Sequence, residues 1–346
     1  GLHSEAIAVS YSGWIVGGPV EEYGTILYSA DSGESWVRQG RAGQIPNITL
    51  GSVSAVNPRT AWAVGESSNG FGTILYTTDA GQTWKRQGDQ TQIPEVELLK
   101  VKAVSESVAW VVGFKGTVLR TTSGGRTWED VSDSSIIPDI QLQGLEALDA
   151  TRAWVSGNPY NGQGHIYHTT DGGQTWVKQG AVNGLPENSH FLGLSAADAD
   201  HLWAVGGGGF LVFHTQNAGG QWTLQSGTVN ATDDSNEVDA VDQNTAWVAQ
   251  DYDNIRLTLD GGKTWMQRGP NPTTNHFMMD VSAADAKTAW VVGASDSFPS
   301  LDGILVITRD GGRTWERKHP LSSGNNSTPF LWGISMVEKK PSVATS

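Results

Sequence analysis

Short hydrophobic runs alternate with polar, glycine-rich turns along the whole chain, and four such runs make one repeating unit. In residues 50–88 the runs are LGSVSAV, AWAVGE, GTILYTT and TWKRQ, and they are separated by the turn NPRT, a glycine-rich loop and the turn DAGQ. Short β-prone runs bounded by turn residues predict β-strands. The hydrophobic pattern therefore predicts a unit of four antiparallel strands.

Two series of tryptophans give the period of this unit. One series closes the motif Ser/Thr-x-Asp-x-Gly-x-x-Trp, or a near variant, at steps of 43 to 50 residues: Trp36, Trp84, Trp128, Trp176, Trp222, Trp265 and Trp315. The other series lies 18 to 25 residues upstream: Trp14, Trp62, Trp110, Trp154, Trp203, Trp247 and Trp290. Trp332 belongs to neither series. A period of this length indicates a β-propeller, whose radial closure leaves only short sheet edges.

We therefore predict an all-β, seven-bladed β-propeller that forms a single domain over residues 1–346. The predicted blades are 5–40, 50–88, 98–131, 142–180, 191–227, 237–269 and 278–318. The first-strand position of blade 1 has two candidates, because EAIAVS at 5–10 and FLWGISMV at 330–337 both read as first strands. We expect 330–338 to close the ring by pairing with the first or last blade. The alternative is that it begins an eighth unit.

Each motif contributes a turn between the third and fourth strands of its blade, and we call these seven segments the motif turns. Their third position is occupied, in order, by Asp31, Asp79, Ser123, Asp171, Asn217, Asp260 and Asp310. An Asp side chain accepts amide hydrogens of its own turn, a Gly takes a positive φ at no steric cost, and a Trp buries a large ring between blades. Ser and Asn keep an oxygen acceptor. The motif therefore predicts a structural role rather than a chemical one.

The motif resembles the Asp-box, also called the BNR repeat, which forms the hairpin between the third and fourth strands of propeller blades. Units such as AWAVGESSNGFGTILYTTDAGQTW are most similar to the photosystem II stability and assembly factor-like family of single seven-bladed propellers. More distantly, the chain resembles sialidase and xyloglucanase propellers. The closer resemblance implies a non-catalytic platform that holds a protein partner. The photosynthetic members use an arginine-rich patch, which this sequence lacks.

Composition narrows the classes of partner and cofactor. The net charge of -14 argues against nucleic acid, whose binders need basic surface, and disfavours anionic membranes. No apolar stretch approaches eighteen residues, so we expect no membrane insertion. Without cysteines there are no thiolate metal sites, and we predict neither metal nor cofactor. Because the chain begins at Gly1, we expect a processed N-terminus and an extracellular or periplasmic location.

Sequence variation between the units is concentrated on one face of the predicted ring. This face carries the loops joining strands 2 and 3 and the loops joining successive blades, and we call it the loop face. Loops on a rigid scaffold usually carry binding, so we predict ligand contacts here. The candidate residues are Glu22, Tyr23, Phe71, Tyr160, Asp251, Tyr252, Asp253, His276, Phe298 and Asp302. Aromatic rings among carboxylates suit a sugar or a basic peptide, whereas the alternative interpretation is a solvated acidic rim.

The functional prediction is a non-catalytic binding platform, in which a protein or glycan partner contacts the loop face. Such a platform could be a subunit of a larger assembly. The alternative is a glycoside hydrolase or another carbohydrate-active enzyme that uses paired carboxylates on the same face. No arginine triad of the sialidase kind is present, and xyloglucanases use two facing propellers where this chain has one. These differences favour the platform.

Overall fold

Seven four-stranded antiparallel sheets follow one another along the chain, which confirms the predicted propeller. The computed structural model describes residues 9–162, 164–186, 189–207, 210–225, 234–269, 276–295, 302–321 and 328–339. Two short 3-10 segments, Phe114–Gly116 and Ala181–Asn183, are the helical elements of these residues. None of the helical segments in the described part of the chain is long and apolar enough to cross a membrane.

The strands have the following bounds. Blades 1 and 2 contain β1 (Ser10–Val20), β2 (Tyr23–Ser29), β3 (Val37–Arg38), β4 (Leu50–Asn57), β5 (Thr60–Ser68), β6 (Phe71–Thr77) and β7 (Lys85–Arg86). Blades 3 and 4 contain β8 (Leu98–Ala103), β9 (Ala109–Gly113), β10 (Val118–Thr121), β11 (Glu129–Asp130), β12 (Leu142–Ala147), β13 (Ala153–Gly157), β14 (Ile166–Thr169) and β15 (Val177–Gln179). Blades 5 and 6 contain β16 (His190–Ala196), β17 (His201–Gly207), β18 (Leu211–Gln216), β19 (Trp222–Leu224), β20 (Ser235–Ala240), β21 (Ala246–Gln250), β22 (Ile255–Thr258) and β23 (Met266–Gln267). Blade 7 contains β24 (His276–Ala283), β25 (Ala289–Ser295), β26 (Gly303–Thr308) and β27 (Glu316–Lys318), and the last strand is β28 (Leu331–Lys339).

The first strands of the sheets form the inner wall of the ring. Each contacts the first strands of two neighbouring blades, in the cyclic order β28, β4, β8, β12, β16, β20, β24 and back to β28. Successive sheets are thus arranged radially, with the first strands around the axis and the short fourth strands outside. The space between the first strands along this axis contains a cavity of about 120 Å³, and we call this axial space the channel.

The C-terminal strand β28 occupies the first-strand position of blade 1. It pairs antiparallel with β1 from Ser10↔Lys339 to Gly17↔Leu331. Blade 1 therefore combines strands from both ends of the chain, in the order β28-β1-β2-β3. Residues 5–8 of the competing segment lie outside the described residues. Pairing of 331–339 with blade 1 is the arrangement that the ring-closure hypothesis requires.

The tryptophans hold neighbouring blades together. In each of the seven hydrophobic clusters, the motif tryptophan of one blade packs with the upstream tryptophan of the preceding blade. Trp176 and Trp110 lie edge to face with ring centroids 6.4 Å apart. Trp36 of blade 1 packs in the same way on Trp290 of blade 7, at 5.6 Å. This last pair crosses the junction between the first and last blades.

Each motif turn is built around one oxygen acceptor. In blade 2, Asp79 Oδ1 accepts hydrogen bonds from the Thr83 amide at 2.9 Å and the Thr77 hydroxyl at 2.9 Å, and Oδ2 accepts one from the Thr83 hydroxyl at 2.6 Å. Burial tends to raise the pKa of Asp79, but these hydrogen bonds lower it overall. Ser123 accepts the equivalent amide hydrogen bond from Thr127 at 3.0 Å, and Asn217 the one from Gln221 at 2.8 Å.

Asp79→Ala is expected to lower the free energy of unfolding by about 1–2 kcal/mol, because it removes a charge-assisted acceptor from three donors. Asp79→Ser is expected to lose less than half of that, because Ser123 already fills this position in blade 3. Urea unfolding at pH 7 measures both. The pKa of Asp79 is lower in the folded state than in the unfolded state. The contribution of Asp79 to the free energy of unfolding should therefore shrink as the pH falls below about 4. Equal losses for the two variants would contradict the acceptor role.

Candidate functional site

Every first strand carries a β-bulge at the same position, close to the loop face. The pairing of β4 with β5 shifts by one residue between Leu50 and Ser52, so that Gly51 has no partner opposite it. The same shift recurs in the other six blades. The bulged residues are Gly51, Leu99, Gln143, Leu192, Asn236, Met279 and Trp332. A bulge bends its strand and redirects a side chain, and bulges are frequent next to functional sites.

The glycine that ends runs such as AWAVG permits this bulge. A Cβ on Gly65 would lie well inside van der Waals contact of the Thr49 carbonyl oxygen, just before β4. The equivalent overlap occurs in five other blades, at Gly17, Gly113, Gly157, Gly206 and Gly293. Blade 6 has Gln250 in this position, opposite Ser235. A glycine inside a strand often marks a bulge or a close backbone approach, and this one marks both.

The seven bulged residues surround a depression of about 420 Å³ on the loop face, which we call the funnel. The first strands begin on the loop face. Each motif turn follows a third strand, which runs in the same direction as the first strand and so ends on the opposite face. The funnel therefore lies opposite the motif turns. Leu99, Leu192, Met279 and Trp332 make its wall largely apolar. Trp332 is 36% exposed, and its ring stacks on Phe330 with the centroids 4.2 Å apart.

Polar groups complete the wall of the funnel. Gln143 Oε1 lies 2.9 Å from Nε2 of His190, and the Asn236 amide donates to Asp251 Oδ1 at 2.8 Å. Further lining residues come from the strand ends and loops of blades 2 to 4: Thr49, Glu66, Glu97, Phe114 and Gln141. An apolar concave site with a few fixed polar groups is typical of binding sites.

Ion pairs form the floor of the funnel and continue down the channel. Lys100 Nζ on β8 contacts Glu237 of β20 and lies 3.7 Å from Asp280 Oδ1 of β24. It thereby connects blade 3 to blades 6 and 7 across the axis. One layer further from the loop face, Lys102 Nζ donates to Glu146 Oε2 at 2.9 Å. A smaller cavity of about 120 Å³ lies among these groups.

Three of the channel acids have raised pKa values because they are buried. Burial raises the pKa of Glu237, although Lys100 counteracts part of this effect. Burial likewise raises the pKa of Asp280, and it raises the pKa of Asp239 to about 6. Asp239 Oδ2 accepts the Ala283 amide hydrogen at 2.7 Å. Two lysines, Lys100 and Lys102, form ion pairs with the channel acids Glu237, Asp280 and Glu146.

Two of the predicted ligand-binding aromatics are covered by arginines of their own blade. The Arg38 guanidinium lies 3.8 Å from the Tyr23 ring centroid, and Arg86 lies 3.8 Å from that of Phe71. Each arginine also donates to backbone carbonyl oxygens of the β-hairpin that carries the aromatic residue. These contacts give both rings a structural role in stabilising the hairpin.

The structure brings four other predicted residues together at the junction of blades 6 and 7. Nδ1 of His276 lies 2.8 Å from Oδ1 of Asp253, and both side chains are buried. Tyr252 contacts Phe277 with the ring centroids 5.9 Å apart, and Asp251 joins the funnel through Asn236. Tyr252 and Asp253 have φ values of 58° and 60°, as the central residues of a type I′ turn require.

The remaining predicted residues are separate from this cluster. Glu22 and Tyr160 are exposed loop residues and do not line the funnel. The Asp302 amide donates to the hydroxyl of Ser295, the last residue of β25, at 3.1 Å. Phe298 lies outside the described residues. Among the residues that the structure describes, no three or more His, Asp or Glu side chains are grouped to hold a metal ion.

Sequence reasoning missed the funnel, although a local signal was present. Several first strands contain two consecutive apolar residues at or near their start: Leu98-Leu99, Phe191-Leu192, Met278-Met279 and Leu331-Trp332. Such a pair breaks the two-residue alternation of a strand, as one inserted bulge residue does. Trp332, which belongs to neither tryptophan series, is the bulged residue of blade 1.

Comparisons with known proteins agree with this architecture. The family model described as photosynthesis system II assembly factor YCF48 matches residues 47–122, 90–198 and 134–271. Among solved structures, YCF48 bound to D1 peptide is 19% identical, with a TM-score of 0.60 over 81% of this chain and 86% of that chain. YCF48 from Cyanidioschyzon merolae is 16% identical, with a TM-score of 0.60 over 88% of this chain and 100% of that one.

A glycoside hydrolase is also similar in fold. The GH74 xyloglucanase from Xanthomonas campestris is 12% identical, with a TM-score of 0.63 over 95% of this chain and 55% of that chain. At such low identities the structural likenesses show the fold alone. No curated protein sequence matches the chain. The family model, in contrast, spans residues 47–271, well over half of the sequence. The chain therefore belongs to the photosynthesis system II assembly factor YCF48 family.

Proposed function

We propose that this protein is a non-catalytic platform that binds a partner polypeptide in the funnel. The observation that carries the proposal is the ring of seven bulges, which brings one bulged residue from every blade to a single depression, six of them with a side chain and Gly51 with backbone alone. The other lining residues lie around the same depression. A rigid inner wall holds these groups in place before the partner arrives, which reduces the entropic cost of binding.

The chemistry of the funnel suits a peptide segment. Leu99, Leu192 and Met279 offer apolar surface for a partner side chain, and the stacked rings of Trp332 and Phe330 offer an aromatic one. Tryptophan and methionine are enriched in protein interfaces. Gln141 and Gln143 place amide groups beside this surface, and such groups pair with a peptide backbone.

Two comparisons support a protein partner. The family is described as an assembly factor, and one structural neighbour is YCF48 bound to D1 peptide. A glycan partner and glycoside hydrolysis remain alternative outcomes of the test below. The channel carboxylates Glu237 and Asp280 already contact Lys100, so they act together as a structural ion cluster.

Methyl NMR provides a direct test, because the chain contains only four methionines. The protein is labelled with 13C-methyl methionine and titrated with linear peptides selected against it from a 12-residue phage-display library. We expect the Met279 signal in the funnel to shift while that of Met266, on outer strand β23, stays constant. Trp332→Ala should weaken binding by about 2 kcal/mol, roughly a thirtyfold higher Kd.

The matched control is Tyr160→Ala, which removes an exposed aromatic from the loop face but leaves the funnel intact. Its peptide affinity should equal that of the wild type. Loss of binding in Tyr160→Ala with retention in Trp332→Ala would overturn the assignment to the funnel. Turnover of xyloglucan oligosaccharides that shift the Met279 signal would overturn the non-catalytic assignment.

A further inference from the structure

Two carboxylates face the same side of the funnel. Glu66 lies near the end of β5 in blade 2, and Glu97 directly precedes β8 in blade 3. Both side chains are half-buried. One oxygen of Glu66 accepts the Thr49 amide hydrogen at 2.9 Å. Burial raises the pKa of Glu97, and the nearby negative charge of Glu66 raises it further. The two carboxylates therefore repel each other at neutral pH.

The protein does not itself neutralise this pair within the described residues. None of the lysines, arginines or histidines in the described part of the chain forms an ion pair with Glu66 or Glu97. The lysine on the funnel floor, Lys100, is held by Glu237 and Asp280. The funnel thus contains an uncompensated negative charge on the blade 2 and blade 3 side.

An aromatic ring adjoins these carboxylates. Phe114 is 36% exposed, lines the funnel, and donates its backbone amide to the Glu97 carbonyl oxygen at 3.0 Å. Leu99, the bulged residue of the same blade, also lines the funnel. This combination suits a basic side chain. The aliphatic part of such a side chain packs on apolar surface, while its charged group binds acidic and aromatic groups.

We propose that the funnel recognises a basic residue, Arg or Lys, of the partner polypeptide. Its cationic group binds between the Glu66 and Glu97 carboxylates, and its aliphatic part packs against Phe114 and Leu99. This inference rests on the proposed function and specifies the chemistry of the partner. The formal net charge of -14 adds long-range attraction for a basic segment.

Three acetylated pentapeptide amides of sequence Gly-Leu-X-Leu-Gly, with X as Arg, citrulline or Glu, distinguish charge from shape. Binding is followed by the Met279 methyl signal in low-salt buffer at pH 7.5. We expect the Arg peptide to bind at least about fivefold more tightly than the citrulline peptide, because citrulline keeps the shape but lacks the charge. The preference should fall as salt is added. The Glu peptide should bind most weakly.

Variants assign the preference to the two carboxylates. In the double variant Glu66→Gln, Glu97→Gln, the Arg and citrulline peptides should bind with about equal affinity, because the negative charge that distinguishes them is removed. Glu95→Gln is the control, because Glu95 is exposed, lies two residues from Glu97 and does not line the funnel. It should keep the preference for Arg.

The outcomes separate this inference from the proposed function. If all three peptides shift the Met279 signal with equal affinity, the funnel binds polypeptides and the preference for a basic residue is overturned. A preference for Arg that persists in the double variant also overturns it. If none of the peptides, the phage-selected ones included, shifts the signal, the proposed function fails and the inference fails with it.

Discussion

Deletion of residues 328–346 is expected to lower the melting temperature by at least about 5 °C or to prevent folding, because the ring then loses its closing strand. Two buried side chains of β28, Leu331 and Ile334, pack with Ile15 and Trp290 in the cluster between blades 7 and 1. Each contributes about 2 kcal/mol of burial. The deletion also removes the pairing with β1 and the contacts of β28 with β4 and β24. Together these losses amount to at least about 4 kcal/mol, which corresponds to a shift of this size.

Two controls make this experiment specific for ring closure. Deletion of residues 340–346 retains all of β28 and should leave the melting temperature unchanged. A synthetic peptide of residues 328–339 should restore part of the stability of the longer deletion in a concentration-dependent way, as a ligand of the folded state does. An unchanged melting temperature after the longer deletion would show that β28 does not lock the ring.

The repeat was predictable because each blade contains its own copy of the residues that form it. The Asp or its substitute, the Gly and the Trp of a motif turn act within eight residues, so spacing alone reveals them. Ring closure was ambiguous for the opposite reason. Residues 5–10 and 330–337 both have the composition of a first strand, and the choice depends on which segment pairs with β1. Local sequence carries little information about such a long-range pairing.

The candidate site was less predictable than the fold, and particular residues show why. Tyr23 and Phe71 are aromatic loop residues by sequence, but Arg38 and Arg86, fifteen residues later in each case, cover their rings. Four of the predicted residues, Asp251, Tyr252, Asp253 and His276, lie together in space, but Asp253 and His276 are buried against each other. Asp251 contacts Asn236 of the funnel.

The charged floor of the funnel illustrates a second limit of sequence reasoning. Lys100 and Glu237 are 137 residues apart in the sequence and meet because their strands lie on opposite sides of one axis. Each looks like an ordinary solvent-facing residue of an alternating strand. In a propeller, alternate residues of a first strand point to opposite sides of the strand. Both sides are covered, by neighbouring blades or by the other side chains of the channel, so both sets of residues are buried. Charges in first strands are therefore the feature to examine in related sequences.

Lys100→Met is expected to lower the free energy of unfolding by about 3 kcal/mol at pH 8, because it leaves the Glu237 and Asp280 carboxylates buried without a counter-ion. Each of these side chains is only 8% exposed. The Lys100 side chain is 21% exposed, so water in the channel will partly solvate the charges and the cost lies at the lower end of the range for buried pairs. Urea unfolding at pH 8 and pH 6 measures the change.

The pH dependence follows from the pKa shifts. The folded-state pKa values of Glu237 and Asp280 are already raised by burial, and loss of Lys100 will raise them further. A carboxyl group whose pKa is higher in the folded state makes the folded state bind more protons, so stability increases as the pH falls through that range. The penalty for Lys100→Met should therefore be largest at pH 8 and smaller at pH 6.

Neutralising the whole cluster should restore stability. The triple variant Lys100→Met, Glu237→Gln, Asp280→Asn contains no unpaired charge at this position, and replacing a complete buried ion cluster is often neutral or stabilising. It should therefore be more stable than Lys100→Met and lack the additional pH dependence. Lys85→Met, which removes an exposed lysine of outer strand β7, should stay within about 0.5 kcal/mol of the wild type. If Lys100→Met has the same free energy of unfolding as the wild type at both pH values, water rather than lysine compensates the channel carboxylates. In that case the floor of the funnel would be hydrated and continuous with the channel below it.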